Sequence, residues 1–384
     1  MPDARPVRVL YVQGATERAG AEAVLLARLP HLAGAGVEPV VLSLVDGPFV
    51  GELRGLEIPV ETLSPTTPRV RDAARFLGVI RDVAATARRL GIDVIDGWGE
   101  KMSVISGWAA RRAGCAAVMT LHDAPRRSAA ATVVQLAAIA ARHDAVVVPS
   151  QWMASEFHRA WRIHPRVIPN GLAIESLPEL AAPIRRRLGW PRDAPVAGIF
   201  GRLVGWKGQS VFLRAARAVL DREPDARFLV VGGTLYGWEA GYADELRRSA
   251  AALGIADRVH FTGHRDDRLE LMLACDVVCH ASLEPEPFGL VVAEAMALER
   301  AVVATRTRGP EEIIEAGRTG LLVPAGDDRA LATSVGDLFA SPDRRRRIGA
   351  AAGAAARSRF DSAHVTAAVA ELYHELERRR LRMR

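Results

Sequence analysis

Short apolar runs alternate with longer stretches in which apolar positions return every three or four residues, and this rhythm continues through almost the whole chain. The first run, VRVLYV (7–12), predicts a strand. A glycine-containing loop, QGATERAG, follows it, and AEAVLLARLPHLAGAG predicts a helix whose regularity Pro30 limits. PVVLSLV (39–45), IDVIDG (92–97), AAVMTLHD (116–123) and DAVVVPS (144–150) predict further strands, with helical patterns between them, among them residues 69–90. The second half repeats the rhythm with APVAGIFG (194–201), RFLVVGG (227–233), RVHFTG (258–263), DVVCHAS (276–282) and RAVVATR (300–306). Strand and helix in alternation mean parallel sheets with helices on both faces.

The Pro-rich, polar stretch between the halves reads as a linker over 171–192. The predicted domains are therefore residues 1–170 and 193–360. A final helix, 361–384, has no strand after it and is expected to pack back toward the first domain. The predicted fold class is α/β, two doubly wound domains. Ligands of such folds sit at the carboxyl ends of the strands, so the natural site is a cleft between domains.

A length of 384 residues exceeds what one compact core accommodates and agrees with that division. No charge-free run of about 18 apolar residues appears, so no segment is expected to span a bilayer. The N-terminus enters a strand within ten residues and lacks a signal peptide's apolar core, which predicts a cytoplasmic protein. Three cysteines, Cys115, Cys275 and Cys279, make no disulfide framework. Cys275 and Cys279, near Asp276 and His280, suggest a metal site, but they fall in an apolar run whose alternation sends neighbours to opposite faces. No metal is expected there. The net charge of +6 raises nucleic-acid binding, yet the charge is scattered and no recognition motif accompanies it. Only two of the 51 basic residues, Lys101 and Lys207, are lysines, so each remaining lysine invites attention.

Lys207 lies in FGRLVGWKGQSVFLRAARAVL, where a strand ends at Phe200, Gly201, Arg202 and Lys207 follow, and Gly208 opens a helix. Backbone amides at a helix start, with a guanidinium and an ammonium, form a receptor for phosphate oxygens. A generic basic loop is the alternative reading. The order of a Walker loop is missing. In EPFGLVVAEAMA, Glu286 and Glu294 stand eight apart around Phe288 and Gly289. The helix that begins there can hold a diphosphate on its first amides, with Glu294 one turn in, able to accept from ribose hydroxyls. A pair of glutamates on a solvated helix is the plain alternative.

Taken together with the later RGPEEIIEAGRTGLLVP, these stretches resemble retaining glycosyltransferases of the GT-B class, family 4 (glycosyl transferases group 1), over nearly the whole chain. The resemblance implies two Rossmann-like domains facing an interdomain cleft. It implies that Gly201, Arg202, Leu203, Lys207 and Gly208 grip the donor diphosphate, that Glu286 contacts the donor sugar, and that Glu294 meets the ribose. Leu290 and Val291 would offer amides to the diphosphate, and Gly232 would border the base. In the first domain, His122 matches a histidine near the sugar, and Gly20 belongs to a donor-binding loop. That loop departs from the family pattern, because Ala19 stands where the family usually has glycine. Arg308 is a second departure, standing where the family commonly shows the first glycine of a Gly-Gly pair.

The activity so implied is metal-independent, retaining transfer of a hexose, from a UDP-linked donor, to a glycan, a lipid-linked sugar or a small natural product. No cofactor is expected beyond the sugar nucleotide. Competing readings are an epimerase, a phosphorylase (for which Lys101 would have to carry pyridoxal) or a non-catalytic sugar-nucleotide-binding subunit. An NAD-linked oxidoreductase would need Gly-x-Gly-x-x-Gly after the first strand, which QGATERAG does not supply. Arg69, Arg71, Arg75, Arg81, Arg88 and Arg89 crowd one predicted helix, with Arg126 and Arg127 after His122. They either meet an anionic membrane at its inner face or keep an Ala-rich helix in water.

Overall fold

The computed structural model describes residues 5–63, 73–125, 137, 140–177, 182–191, 193–234, 239 and 241–382. Arg69, Arg71, Arg126 and Arg127 lie outside them. The chain forms two units, Met1–Ala173 with Phe360–Arg384, and Ile174–Arg359.

In the first unit the apolar runs become β1 (Val7–Gln13), β2 (Val37–Ser43), β4 (Val94–Trp98), β5 (Ala116–Thr120) and β6 (Ala145–Val148). Two short strands, β3 (Val60–Thr62) and β7 (Arg166–Val167), complete a parallel sheet in the order β3-β2-β1-β4-β5-β6-β7. β1 lies between β2 and β4, with Val9 opposite Pro39 on one side and Val94 on the other. Strand order reverses there, so the loops leaving β1 and β4 diverge and leave a crevice at their carboxyl ends. The long helix Ala73–Arg89 turns Val79, Ile80, Val83, Ala84 and Ala87 inward at helical spacing. Of its arginines, Arg88 donates to the Arg112 carbonyl and Arg89 pairs with Glu61. The helix that begins at Gly20 stops at Arg28 and continues as two 3₁₀ turns, Leu29–His31 and Ala33–Ala35. Pro30, without an amide hydrogen, accounts for the break.

The C-terminal helix, Ser362–Arg382, belongs to this first unit. Its Tyr373 hydroxyl donates to Asp96 at 2.6 Å and meets the Tyr11 hydroxyl at 2.9 Å, all three side chains being buried. Thr120 adds a third hydroxyl to the Asp96 carboxylate, 2.8 Å away. Burial pushes the Asp96 carboxyl up, and the donors from Tyr373, the Arg28 charge and Thr120 oppose that rise.

The second unit is built from β8 (Val196–Phe200), β9 (Arg227–Val231), β10 (Val259–Gly263), β11 (Val277–His280), β12 (Ala301–Thr305) and β13 (Leu321–Val323). All are parallel, in the order β10-β9-β8-β11-β12-β13. Strand order again reverses at one place, between β8 and β11, where Ile199 lies opposite Cys279. Residues read as a linker carry the short helix Ala182–Arg187. Arg185 fixes it to the second unit, donating to the Ala274 carbonyl at 2.9 Å and to Asp276 at 2.8 Å. Asp276 is thus committed to an ion pair, and burial pushes the Cys275 and Cys279 thiols well up. The three strands not foreseen, β3, β7 and β13, hold two or three residues each, too few to stand out as apolar runs.

Candidate functional site

The topological switch between β8 and β11 decides which loops meet in the second unit. β8 ends at Phe200, and the chain passes through Gly201 and Arg202 into a 3₁₀ turn, Gly205–Lys207. β11 ends at His280 and leads through Ser282 to Glu286. The two loops are stitched together by the Leu283 amide, which donates to the Trp206 carbonyl at 2.7 Å. Gly208, with φ +72°, then opens the helix Gln209–Leu220. A Cβ there would stand 1.9 Å from the Ala281 carbonyl oxygen, so only glycine lets the turn lie against the end of β11.

This approach brings Lys207 and Glu286 together, with Nζ 2.6 Å from Oε1. The same oxygen accepts from Ser282 Oγ and lies 2.9 Å from His280 Nε2. Among the described residues no donor meets Oε2. Burial alone would raise this carboxyl, but the charges of His280 and Lys207, with their hydrogen bonds, hold it far below the usual carboxylate range. Lys207 also packs its ammonium over the Trp206 ring, 4.4 Å from the centroid. Arg202 is half-buried, and among the described residues its guanidinium has no carboxylate partner.

Gly289, at φ +98°, caps the helix Leu290–Ala297, whose first residues are Leu290 and Val291. Their amides belong to the first turn, where no intrahelical acceptor exists. Phe288 is buried just before them. One turn in, Glu294 is buried and takes a bidentate pair from Arg268, with contacts of 2.9 and 2.7 Å. Gly201 and Gly232 lie at the ends of β8 and β9, joined by the Gly201 amide to the Val231 carbonyl. The expected donor-side residues of the second half therefore gather at the carboxyl ends of one sheet.

Arg308 is the strained point of this site. Its φ of +72° with ψ −84° lies in a region that side chains rarely adopt. The Gly309 amide donates to the Glu286 carbonyl at 3.0 Å, and the Glu286 amide to the Thr307 carbonyl at 2.8 Å. The backbone that presents Glu286 thus runs alongside the strained residue. A non-glycine residue held this way costs about 1–3 kcal/mol, and glycine's extra freedom in the unfolded chain offsets roughly 0.5–1 of it. Arg308→Gly should therefore raise unfolding stability by about 1 kcal/mol, read as a higher Tm in thermal denaturation. An unchanged or lower Tm would show that the Arg308 side chain contributes more than the strain removes.

In the first unit, Gly20 opens the helix Gly20–Arg28 behind Ala19. Ala19 has φ −116° and ψ −161°, extended backbone that any residue adopts, so the missing glycine imposes no strain there. The Ala19 amide donates to Glu22 at 3.1 Å, closing the helix start. His122 follows β5, its ring 4.6 Å from that of Trp98, which itself lies under the Arg28 guanidinium at 5.0 Å. Both His122 ring nitrogens are buried without a hydrogen-bond partner among the described residues. Burial, with the Arg28 charge, pushes its pKa down to about 3. His122 is thus neutral near pH 7 and offers one donor and one acceptor, not a positive charge.

Sequence reasoning missed three contributors. His280 was visible only beside Cys279 and Asp276, and its bond to Glu286 joins a strand to a loop six residues on. Ser282 and Arg268 carried no signal, since small hydroxyls and exposed arginines are common in this chain.

Comparisons with known proteins identify the family. The family described as glycosyl transferases group 1 matches residues 182–354, and glycosyltransferase family 4 matches residues 18–176. Phosphatidyl-myo-inositol mannosyltransferase of Mycobacterium leprae is 31% identical over 280 residues, covering 70% of each chain. GDP-mannose-dependent alpha-(1-6)-phosphatidylinositol monomannoside mannosyltransferase of Mycolicibacterium smegmatis is 34% identical over 221 residues, 54% of this chain and 56% of that one. The crystal structure of Anabaena HepE in complex with UDP-glucose matches with a TM-score of 0.85 at 29% identity, over 96% of this chain and 99% of that one. The α/β fold with two Rossmann-like, parallel-sheet domains and a C-terminal helix is that of GT-B glycosyltransferases.

Proposed function

The chain belongs to the group 1 glycosyltransferases, and on that premise we propose that it moves a hexose from a UDP-linked donor to an acceptor hydroxyl with retention of configuration. The observation that carries this reading is the convergence of Arg202, Lys207, the first amides of Leu290–Ala297 and the ionised Glu286 at the ends of β8 and β11. Breaking the bond to a nucleoside diphosphate builds negative charge on the departing phosphate. Two cations and a helix start, fixed before the reaction, stabilise that charge without waiting for solvent to reorganise. The proposed reaction therefore uses no metal. Glu286, with Oε2 unclaimed, accepts from a hexose hydroxyl, and the departing phosphate takes the acceptor's proton. His122, kept neutral, orients the sugar by hydrogen bonding.

The UDP assignment draws support from HepE, solved with UDP-glucose, while the mycolicibacterial relative is named for GDP-mannose. Incubation with UDP-glucose, UDP-galactose and GDP-mannose, reading nucleoside diphosphate release, separates the two. Release from a UDP-hexose is expected. Release from GDP-mannose alone would move the donor to GDP, and release from none would remove the transferase reading.

The phosphatidylinositol relatives favour a lipid-linked acceptor among the three classes. The helix Ala73–Arg89 fits such a role, since Leu77 is 59% exposed on it, among Arg75 and Arg81. No helix of the described residues is long and apolar enough to cross a membrane, so contact would be peripheral. Each basic residue near an anionic surface contributes about 1 kcal/mol. Anionic vesicles should sediment the protein at low salt and release it at moderate salt. Absence of binding at both would favour a soluble acceptor.

A further inference from the structure

His280 is a buried residue at the end of β11 that the proposed chemistry leaves without a task. Its Nε2 lies 2.9 Å from Glu286 Oε1, and its Nδ1 lies 3.3 Å from Thr305 Oγ1. The Thr305 hydroxyl has one proton, and it goes to the Ser282 carbonyl at 2.8 Å. Thr305 Oγ1 is therefore an acceptor toward the ring, as is the Glu286 carboxylate, so both ring nitrogens donate and the ring carries a positive charge. Glu286 thus has two cations on a single oxygen, Lys207 and His280. One of them has a second use. Lys207 stands beside Arg202 in the loop that faces the diphosphate, and it cannot give its full charge to a phosphate while it neutralises Glu286.

We propose that His280 is a positioning residue whose charge holds Glu286 ionised and in place when Lys207 turns from Glu286 to the donor diphosphate. The inference rests on the donor reading above. Without His280, a diphosphate could draw Lys207 away only by leaving a buried carboxylate with Ser282 as its sole donor, which is costly. With it, Oε1 keeps a charged partner on the rigid end of a strand, and Lys207 is released. Ser282 and Thr305 fix the assembly, the first as a donor to Glu286 and the second as the ring's acceptor on β12.

Calorimetric titration of UDP and of GDP into the full-length protein tests this. Wild type should bind one of them, and His280→Gln should bind it at least tenfold more weakly, the scale on which one nearby opposite charge shifts an ionisation equilibrium. The double variant His280→Gln with Glu286→Gln should recover wild-type affinity, because no carboxylate then competes for Lys207. Equal binding by His280→Gln and wild type would overturn the proposal, as would a loss that the double variant does not repair, which is what a purely structural role predicts. A second variant keeps the test open even if His280→Gln fails to fold. Thr305→Val removes the ring's acceptor on β12 and should also weaken binding, and Glu286→Gln added to it should restore wild-type affinity. Unchanged binding by Thr305→Val would overturn the proposal. Wild-type protein that binds neither nucleotide would overturn the donor reading and this inference with it.

Discussion

Lys207→Ala and Arg202→Ala should each lower turnover of the sugar nucleotide by roughly a hundredfold or more, the usual scale for removing one preorganised donor aimed at developing charge. The two variants should differ in stability. Arg202 has no carboxylate partner among the described residues, and its loss should change unfolding by less than about 0.5 kcal/mol. Lys207 pairs with the buried Glu286, so its removal should cost more. The fold should nonetheless survive, because His280 and Ser282 still satisfy Glu286 Oε1. Turnover should be unaffected by EDTA in wild type, since the charge is neutralised by side chains and amides. Near-normal turnover in either alanine variant, or activity lost to EDTA and restored by magnesium, would contradict the assignment.

Glu286→Gln should reduce transfer by roughly 10- to 100-fold, the range of a hydrogen bond to a charged group, while leaving affinity for the free nucleoside diphosphate intact. The carboxylate faces the sugar in this account, and the free diphosphate has none. The same substitution should alter the acid limb of stability. Glu286 is held below the usual carboxylate range, so its stabilising contribution is present above the unfolded value near pH 4.3 and is lost as pH falls through the folded value. The variant should therefore lose less stability than wild type below about pH 4, measured by chemical denaturation at several pH values. An equal loss of transfer and of nucleotide binding would place Glu286 at the diphosphate instead.

The sheets were legible because each central strand is an almost unbroken apolar run, the mark of a strand buried on both faces. The strands themselves follow from runs that could hardly be anything else, while their pairing, Ile199 opposite Cys279 and Val9 between Pro39 and Val94, appears only in the structure. The two motifs that carry Arg202, Lys207, Glu286 and Glu294 were legible as local spacings, but their grouping into one site came from the family resemblance. Their actual partners were not legible. That Lys207 lies on Glu286, and that Arg268 grips Glu294, depend on which strands neighbour each other, 79 and 26 residues apart in the chain. At Ala19 only the backbone angles show that the departure from glycine imposes no strain. At Arg308 the opposite holds, and the departure from glycine is real strain.

The most direct test is a crystal structure with bound UDP. The account predicts the diphosphate within hydrogen-bond reach of Arg202, Lys207 and the amides of Leu290 and Val291, with Lys207 moved off Glu286 and His280 still on it. A diphosphate bound elsewhere, or held while Lys207 remains on Glu286, would contradict it.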